Sequence, residues 1–159
     1  MKASKHHQYM REAILESKRG MDSNHGGPFG AIIVRGDEIV GRGHNRVTST
    51  NDPTAHAEVM AIRDACQNLG VFQLDDCVIY TSCEPCPMCF GAIYWARLQK
   101  VYFACNQADA AAIDFDDSFI YREIELPMGE RQIPFESLLR SEGQEVFRQW
   151  DEKQDKTEY

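Results

Sequence analysis

The chain has 159 residues, with 17 basic and 25 acidic side chains and a formal net charge of −8. One core at this length buries roughly 70 % of the surface the unfolded chain exposes, so disulfides are not required to hold it. The acidic balance argues against a nucleic-acid partner, whose phosphates need clustered Lys and Arg. No apolar run approaches the roughly 18 residues of a membrane helix, and the opening MKASKHHQYMREAILESKRG lacks a signal-peptide pattern. The expectation is a cytoplasmic protein without membrane contact, in which six cysteines serve a metal or sit buried as thiols.

No repeat, low-complexity block or linker interrupts the chain, which reads as a single domain over 1–159. A first helix is expected around Tyr9 to Lys18. FGAIIVRG and DEIVGRGHN follow as two short strands joined through Gly36 and Asp37, a hairpin ending near Asn45. In AHAEVMAIRDACQNLG, residues Val59, Ile62, Cys66 and Leu69 recur at helical spacing before Gly70. CVIYT reads as a buried strand, a helix opened by Pro85 runs to about Ala96, and KVYFAC is another strand. Strand and helix thus alternate in the second half, the pattern of parallel strands with crossover helices beside an antiparallel hairpin. Beyond Ser141 the chain reads as a helix and then a charged tail.

Chemistry concentrates in two stretches. Cys86 and Cys89 form a C-x-x-C at a helix start, where free N–H groups and the helix dipole favour thiolates; a redox pair and a metal are both served by that geometry. Upstream, DPTAHAE repeats the device, with Asp52 or Thr54 as capping candidates and His56 and Glu58 in the first turn. Two helix starts, each after an extended segment, present His56, Cys86 and Cys89 to one point. Three N and S ligands leave a fourth tetrahedral position open, the pattern of a catalytic zinc able to activate water near neutral pH. Residues two apart on a helix do not share a face, so Glu58 is cast as a proton carrier and not as a fourth ligand. Cys83 reads as a thiol near the metal and outside its shell. Cys66, Cys77 and Cys105 read as core; His6, His7 and His25 as surface groups; and Tyr94 and Trp95 as candidates for core.

H-x-E followed by P-C-x-x-C is the signature of zinc nucleobase deaminases. Together with GGPFGAIIV, TSTNDPTAHAE, YTSCEPCPMCFGAIYWAR, FDDSFIYREI and the final EY, it resembles the bacterial guanine deaminases of the cytidine-deaminase-like fold. That resemblance implies a three-layer α/β/α fold on a mixed five-stranded sheet and one Zn²⁺ per subunit held by His56, Cys86 and Cys89. It implies Glu58 as the proton shuttle in converting guanine to xanthine and ammonia. Asn45, Phe29 and the main chain of Ala57 would contact the purine, while Asp117 and Tyr159 would select guanine. It further implies a homodimer that exchanges the C-terminal segment, about 141–159, between subunits.

Two rival readings belong to other classes. A tRNA adenosine deaminase shares the zinc motif, but the charge of −8 and the block FDDSFIY disfavour it. A zinc-stabilised binding module without catalysis requires Cys83 as a fourth ligand and leaves Glu58 dispensable.

Overall fold

The computed structural model describes residues 4–159. Its helices are α1 (Lys5–Asp22), α2 (Val47–Thr50), α3 (Ala57–Leu69), α4 (Pro87–Trp95), α5 (Gln107–Ala111), α6 (Ser118–Glu125) and α7 (Arg140–Glu152). Its strands are β1 (Gly30–Arg35), β2 (Glu38–His44), β3 (Cys77–Cys83) and β4 (Lys100–Cys105). The chain forms two compact units, one ending at Asp117 and the other Ser118–Tyr159.

In the first unit the strands lie in the order β2-β1-β3-β4. β1 is antiparallel to both β2 and β3, whereas β3 and β4 are parallel and joined by α4. Alternation along β1 assigns each residue to a face. Ala31 and Ile33 pack with Ile79, Ala57, Ala61, Ala65 and Ile93 on the side of α3 and α4. Ile32 and Val34 pack with Tyr80 and Ala13 of α1 on the other. The result is the expected three-layer α/β/α arrangement on a mixed sheet. Burying each large aliphatic contributes about 1.5–3 kcal/mol, and Ile32, Ile33 and Ile79 are all fully buried.

The sheet has four strands and not the five implied by the resemblance. Directly after β4, Asn106 and Asp109 bond each other's backbone in a capping box that starts α5. The chain leaving the β4 edge is thereby committed to helix, and α6 follows.

One close approach sets the position of α3. Gly41 and Gly43 of β2 face it, and a Cβ on Gly43 would lie 2.4 Å from the Ala61 nitrogen and 2.5 Å from the Ala57 oxygen. On the helix side the contact is an alanine stripe, Ala57, Ala61 and Ala65, each fully buried. Backbone packed on backbone leaves α3 no room to slide, so its N-terminus is held at a defined point on the sheet. A bulge between Ile33 and Val34, where the pairing shifts from Gly41 to Ile39, adds twist beside this contact.

The second unit is built from α6, a 3-10 turn at Met128–Glu130, and α7. Arg131 organises its loop, donating from Nε to the carbonyls of Glu123 and Leu126 while its guanidinium lies 4.8 Å from the Phe135 ring centre. α6 and α7 bury none of their residues.

Tyr94 and Trp95, candidates for core by sequence, are 65 % and 66 % exposed. Cys77 is core and Cys66 packs against it, but Cys105 is exposed. Cys89 and Ile93 are the two buried residues of α4, while Met88, Phe90, Tyr94 and Trp95 are exposed.

If the glycine contact positions α3, Gly43→Ala should destabilise the protein by about 1–3 kcal/mol and weaken zinc retention together. Thermal unfolding with metal analysis checks this; a variant of parental stability and zinc content would show that α3 has slack.

Candidate active site

Both helix starts that carry the motif residues follow extended backbone. His56 is the N-cap of α3 and Cys86 the N-cap of α4, each with β-type dihedrals and no side-chain cap of its own. The sequence reading placed these residues within the first turn and Pro85 at the first helical position. In the structure Pro87 occupies the helix start, and Asp52 caps the preceding turn, accepting from the Thr54 N–H at 2.8 Å and the Thr54 hydroxyl at 2.6 Å. As N-caps, His56 and Cys86 lie at the mouths of two helices whose first N–H groups have no intrahelical acceptor.

His56 Nδ1 lies 3.5 Å from Cys86 Sγ and 3.5 Å from Cys89 Sγ, and the three ligand atoms all fall within 4.8 Å of one another. Tetrahedral zinc with bonds of about 2.3 Å to sulfur and 2.0–2.1 Å to nitrogen separates these atoms by about 3.5 Å. The donor set therefore fits a zinc ion in both chemistry and spacing. Among the described residues it is the sole group of three or more His, Cys, Asp or Glu placed to hold a metal. Cys83 stays outside it, directing its thiol to the Asn106 carbonyl at 3.8 Å.

Electrostatics in the pair of cysteines follow from one shared proton. The Cys89 thiol donates to Cys86, which with His56 and the Cys89 N–H holds the Cys86 thiol down to about 4, while the same bond and burial push Cys89 up. A bound cation removes this asymmetry by deprotonating both thiols. The hydrogen bond to Cys86 raises His56. Burial pushes Cys83 up to about 12.

Glu58, one position into α3 from Ala57, is only 6 % exposed. Its carboxylate lies against Cys89, and burial raises its proton affinity above that of an ordinary carboxylate. Thr81 Oγ1 of β3 lies 3.3 Å from Glu58 Oε1 and 3.0 Å from the Cys83 carbonyl. Thr81 carries no motif, and only the register of β3 brings it to Glu58.

Asn45 follows β2 and is 6 % exposed. Its Oδ1 accepts from the Val47 N–H at 3.1 Å and the Gly27 N–H at 3.3 Å, and its own N–H donates to the Phe29 carbonyl at 3.0 Å. With the oxygen occupied, Asn45 offers its Nδ2 as a donor. The Phe29 ring, half-buried, meets Phe115 edge to face at 4.9 Å between centroids. Asp117 Oδ1 accepts from Gln107 Nε2 at 2.8 Å, and the Gln107 N–H donates to Glu84 Oε2 at 2.9 Å. Gln107 and Phe115 were not singled out by sequence; a lone glutamine on a short helix has no pattern to betray it. Burial, and after it the nearby charges of Cys105, Glu58, Glu84 and Asp117, push the Cys83 thiol up. Tyr159 belongs to the second unit.

Residues 3–105 match the family model described as the cytidine and deoxycytidylate deaminase zinc-binding region. The chain belongs to that family. It is 52 % identical over 154 residues to the guanine deaminase of Bacillus subtilis, covering 97 % of this chain and 99 % of that protein. The X-ray structure of that enzyme is similar with a TM-score of 0.94, covering 97 % of this chain and 98 % of that chain. The chain is 42 % identical over 96 residues to the tRNA-specific adenosine deaminase of Aquifex aeolicus, covering 60 % of this chain and 63 % of that protein.

In zinc-stripped protein at pH 6, iodoacetamide should alkylate Cys86 first, because its thiol is lowered to about 4 while Cys77 and Cys83 are pushed up to about 12. Zinc should suppress that labelling. Mass spectrometry reads the order; preferential labelling of the exposed Cys105 would contradict the assigned thiolate.

Proposed function

We propose that this chain is a guanine deaminase, hydrolysing guanine to xanthine and ammonia with one zinc ion per subunit. The observation that carries the reading is the extent of the likeness. A match over 154 residues of 159 runs past residue 105, where the family model stops, into the segment to which this reading assigns substrate selection.

His56, Cys86 and Cys89 would hold the zinc ion, which when bound would supply Lewis-acid activation of water at neutral pH. In the reaction a C2–O bond forms and the C2–N bond to the amino group breaks. One proton of the water goes to a ring nitrogen and the other leaves with ammonia, and Glu58 carries both in turn. Burial suits Glu58 to this task, since a carboxyl with raised proton affinity gives and takes a proton near neutral pH at lower cost. Thr81 holds it from the side of β3.

Substrate contacts follow from the polarity of each group. Asn45 Nδ2 donates to a purine acceptor, the Ala57 main chain adds a polar contact, and the Phe29 ring, braced by Phe115, lies on the base. Asp117 has one carboxylate oxygen bound to Gln107 and uses the other to accept from the N–H groups of guanine. Adenine presents a bare nitrogen at N1 where guanine has N1–H, so it leaves the second oxygen of the half-buried Asp117 carboxylate without a donor, a larger penalty than a lost apolar contact. Six free thiols suit a reducing cytoplasm.

The protein works as a homodimer in this reading, with Tyr159 and the segment of about 141–159 supplied to the partner's site. Complementation tests it. Glu58→Gln and Tyr159→Ala chains should each be inactive or nearly so, and a refolded equimolar mixture should recover up to about one quarter of parental activity, because half of the dimers are mixed and each contains one intact site. No recovery on mixing would place Tyr159 in its own subunit's site.

The reading as a whole is tested by turnover of guanine beside adenine, cytosine and a tRNA anticodon stem-loop. Guanine should be the substrate consumed, with stoichiometric ammonia. Activity confined to the stem-loop would assign the chain to the tRNA-editing branch, and a zinc-loaded protein inert on all four would support a binding module.

A further inference from the structure

Outside the metal group, three side chains form a line of hydrogen bonds beneath the loop that leads to Phe29. Glu16 of α1 is 5 % exposed and is already paired with two guanidinium groups, Arg19 at 2.8 Å and Arg42 at 3.5 Å. His44 Nδ1, at the end of β2, lies 3.4 Å from Glu16 Oε2, and His44 Nε2 lies 2.8 Å from His25 Nδ1. The two rings stack with centroids 5.1 Å apart. The spacing fits a pairing in which His44 donates from Nδ1 to Glu16 and accepts at Nε2 from His25 Nδ1–H, so that each contact has one donor and one acceptor.

The chain of bonds ends where the loop begins. His25 is also tied by its main chain, its N–H donating to the Gly20 carbonyl at 3.0 Å and its carbonyl accepting from the Ser49 N–H at 3.1 Å and the Thr48 hydroxyl at 3.2 Å. One residue on, Gly26 packs so closely that a Cβ there would fall 2.1 Å from Asn45 Oδ1. Two residues on, the Gly27 N–H is one of the two donors that hold Asn45 Oδ1.

We propose that the Glu16–His44–His25 chain is a positioning device for the Asn45 carboxamide. It fixes the start of the loop so that Gly26 and Gly27 clamp the oxygen of Asn45 and leave Nδ2 as the end that meets the ligand. The identity of that ligand as guanine rests on the function proposed above; the hydrogen-bond chain does not.

The test uses the zinc-loaded, full-length protein. His25→Phe keeps a ring and removes the Nδ1 donor, while His25→Asn returns an N–H close to the same point. The expected result is a KM for guanine raised about five- to tenfold in His25→Phe, with kcat and zinc content as in the parent, and recovery of KM in His25→Asn. On an Asn45→Ala background, His25→Phe should add no further penalty. An unchanged KM, additive penalties, or a fall in stability and kcat that His25→Asn fails to restore would each overturn the proposal, the last by reducing the chain to a structural tie. Nitrogen-15 NMR reads the same device without turnover: the Asn45 Nδ2H₂ resonances should move in His25→Phe and return in His25→Asn, and resonances that stay put would overturn it. A parent protein that fails to turn over guanine would count against the proposed function and leave the NMR arm standing.

Discussion

The candidate active site depends on the absence of side chains at Gly41 and Gly43. With no Cβ to hold it off, α3 lies backbone to backbone on β2, and its alanine stripe fills the narrow gap. His56, Ala57 and Glu58 occupy the N-cap and the first two positions of that helix, so their places are set by a contact in which a displacement of even one methyl group is resisted by main-chain atoms. The sheet performs the same service for the other half. β3 runs between β1 and β4, fully inside the unit, and delivers the chain to Cys86 three residues after the strand ends at Cys83.

A second constraint is electrostatic. The hydrogen bond from the Cys89 thiol, with lesser contributions from His56 and the Cys89 N–H, lowers the Cys86 thiol in the metal-free protein. The metal group thus has one thiolate prepared before any cation arrives. Glu58 is perturbed the opposite way, by burial. Two acids within one small space are driven apart in proton affinity, one toward ligation and the other toward proton transfer, which is the division of labour a hydrolytic deamination needs.

Much of this was legible in sequence because period and spacing carry it. The hairpin, α3 with its end at Gly70, β4 at Lys100–Cys105 and the metal group all follow from local pattern. What local pattern does not carry is pairing between distant elements. Thr81 reaches Glu58 through sheet register, Gln107 at the start of α5 reaches Asp117 ten residues on, and His25, read as a surface group, is half-buried against His44. The fifth strand came from the resemblance, and the Asn106–Asp109 capping box turns that part of the chain to helix. Tyr94, Trp95 and Cys105 were assigned by residue type to a core that Cys89 and Ile93 of α4 already supply.

The central claim is a metal centre with three protein ligands and one open position. Zinc K-edge X-ray absorption on the purified protein tests it most directly. The account predicts a first shell of two sulfur atoms at about 2.3 Å and two lighter atoms at about 2.0–2.1 Å, one of them His56 Nδ1 and the other not from the protein. A shell of three sulfur atoms would bring Cys83 into coordination, close the site, and contradict the account.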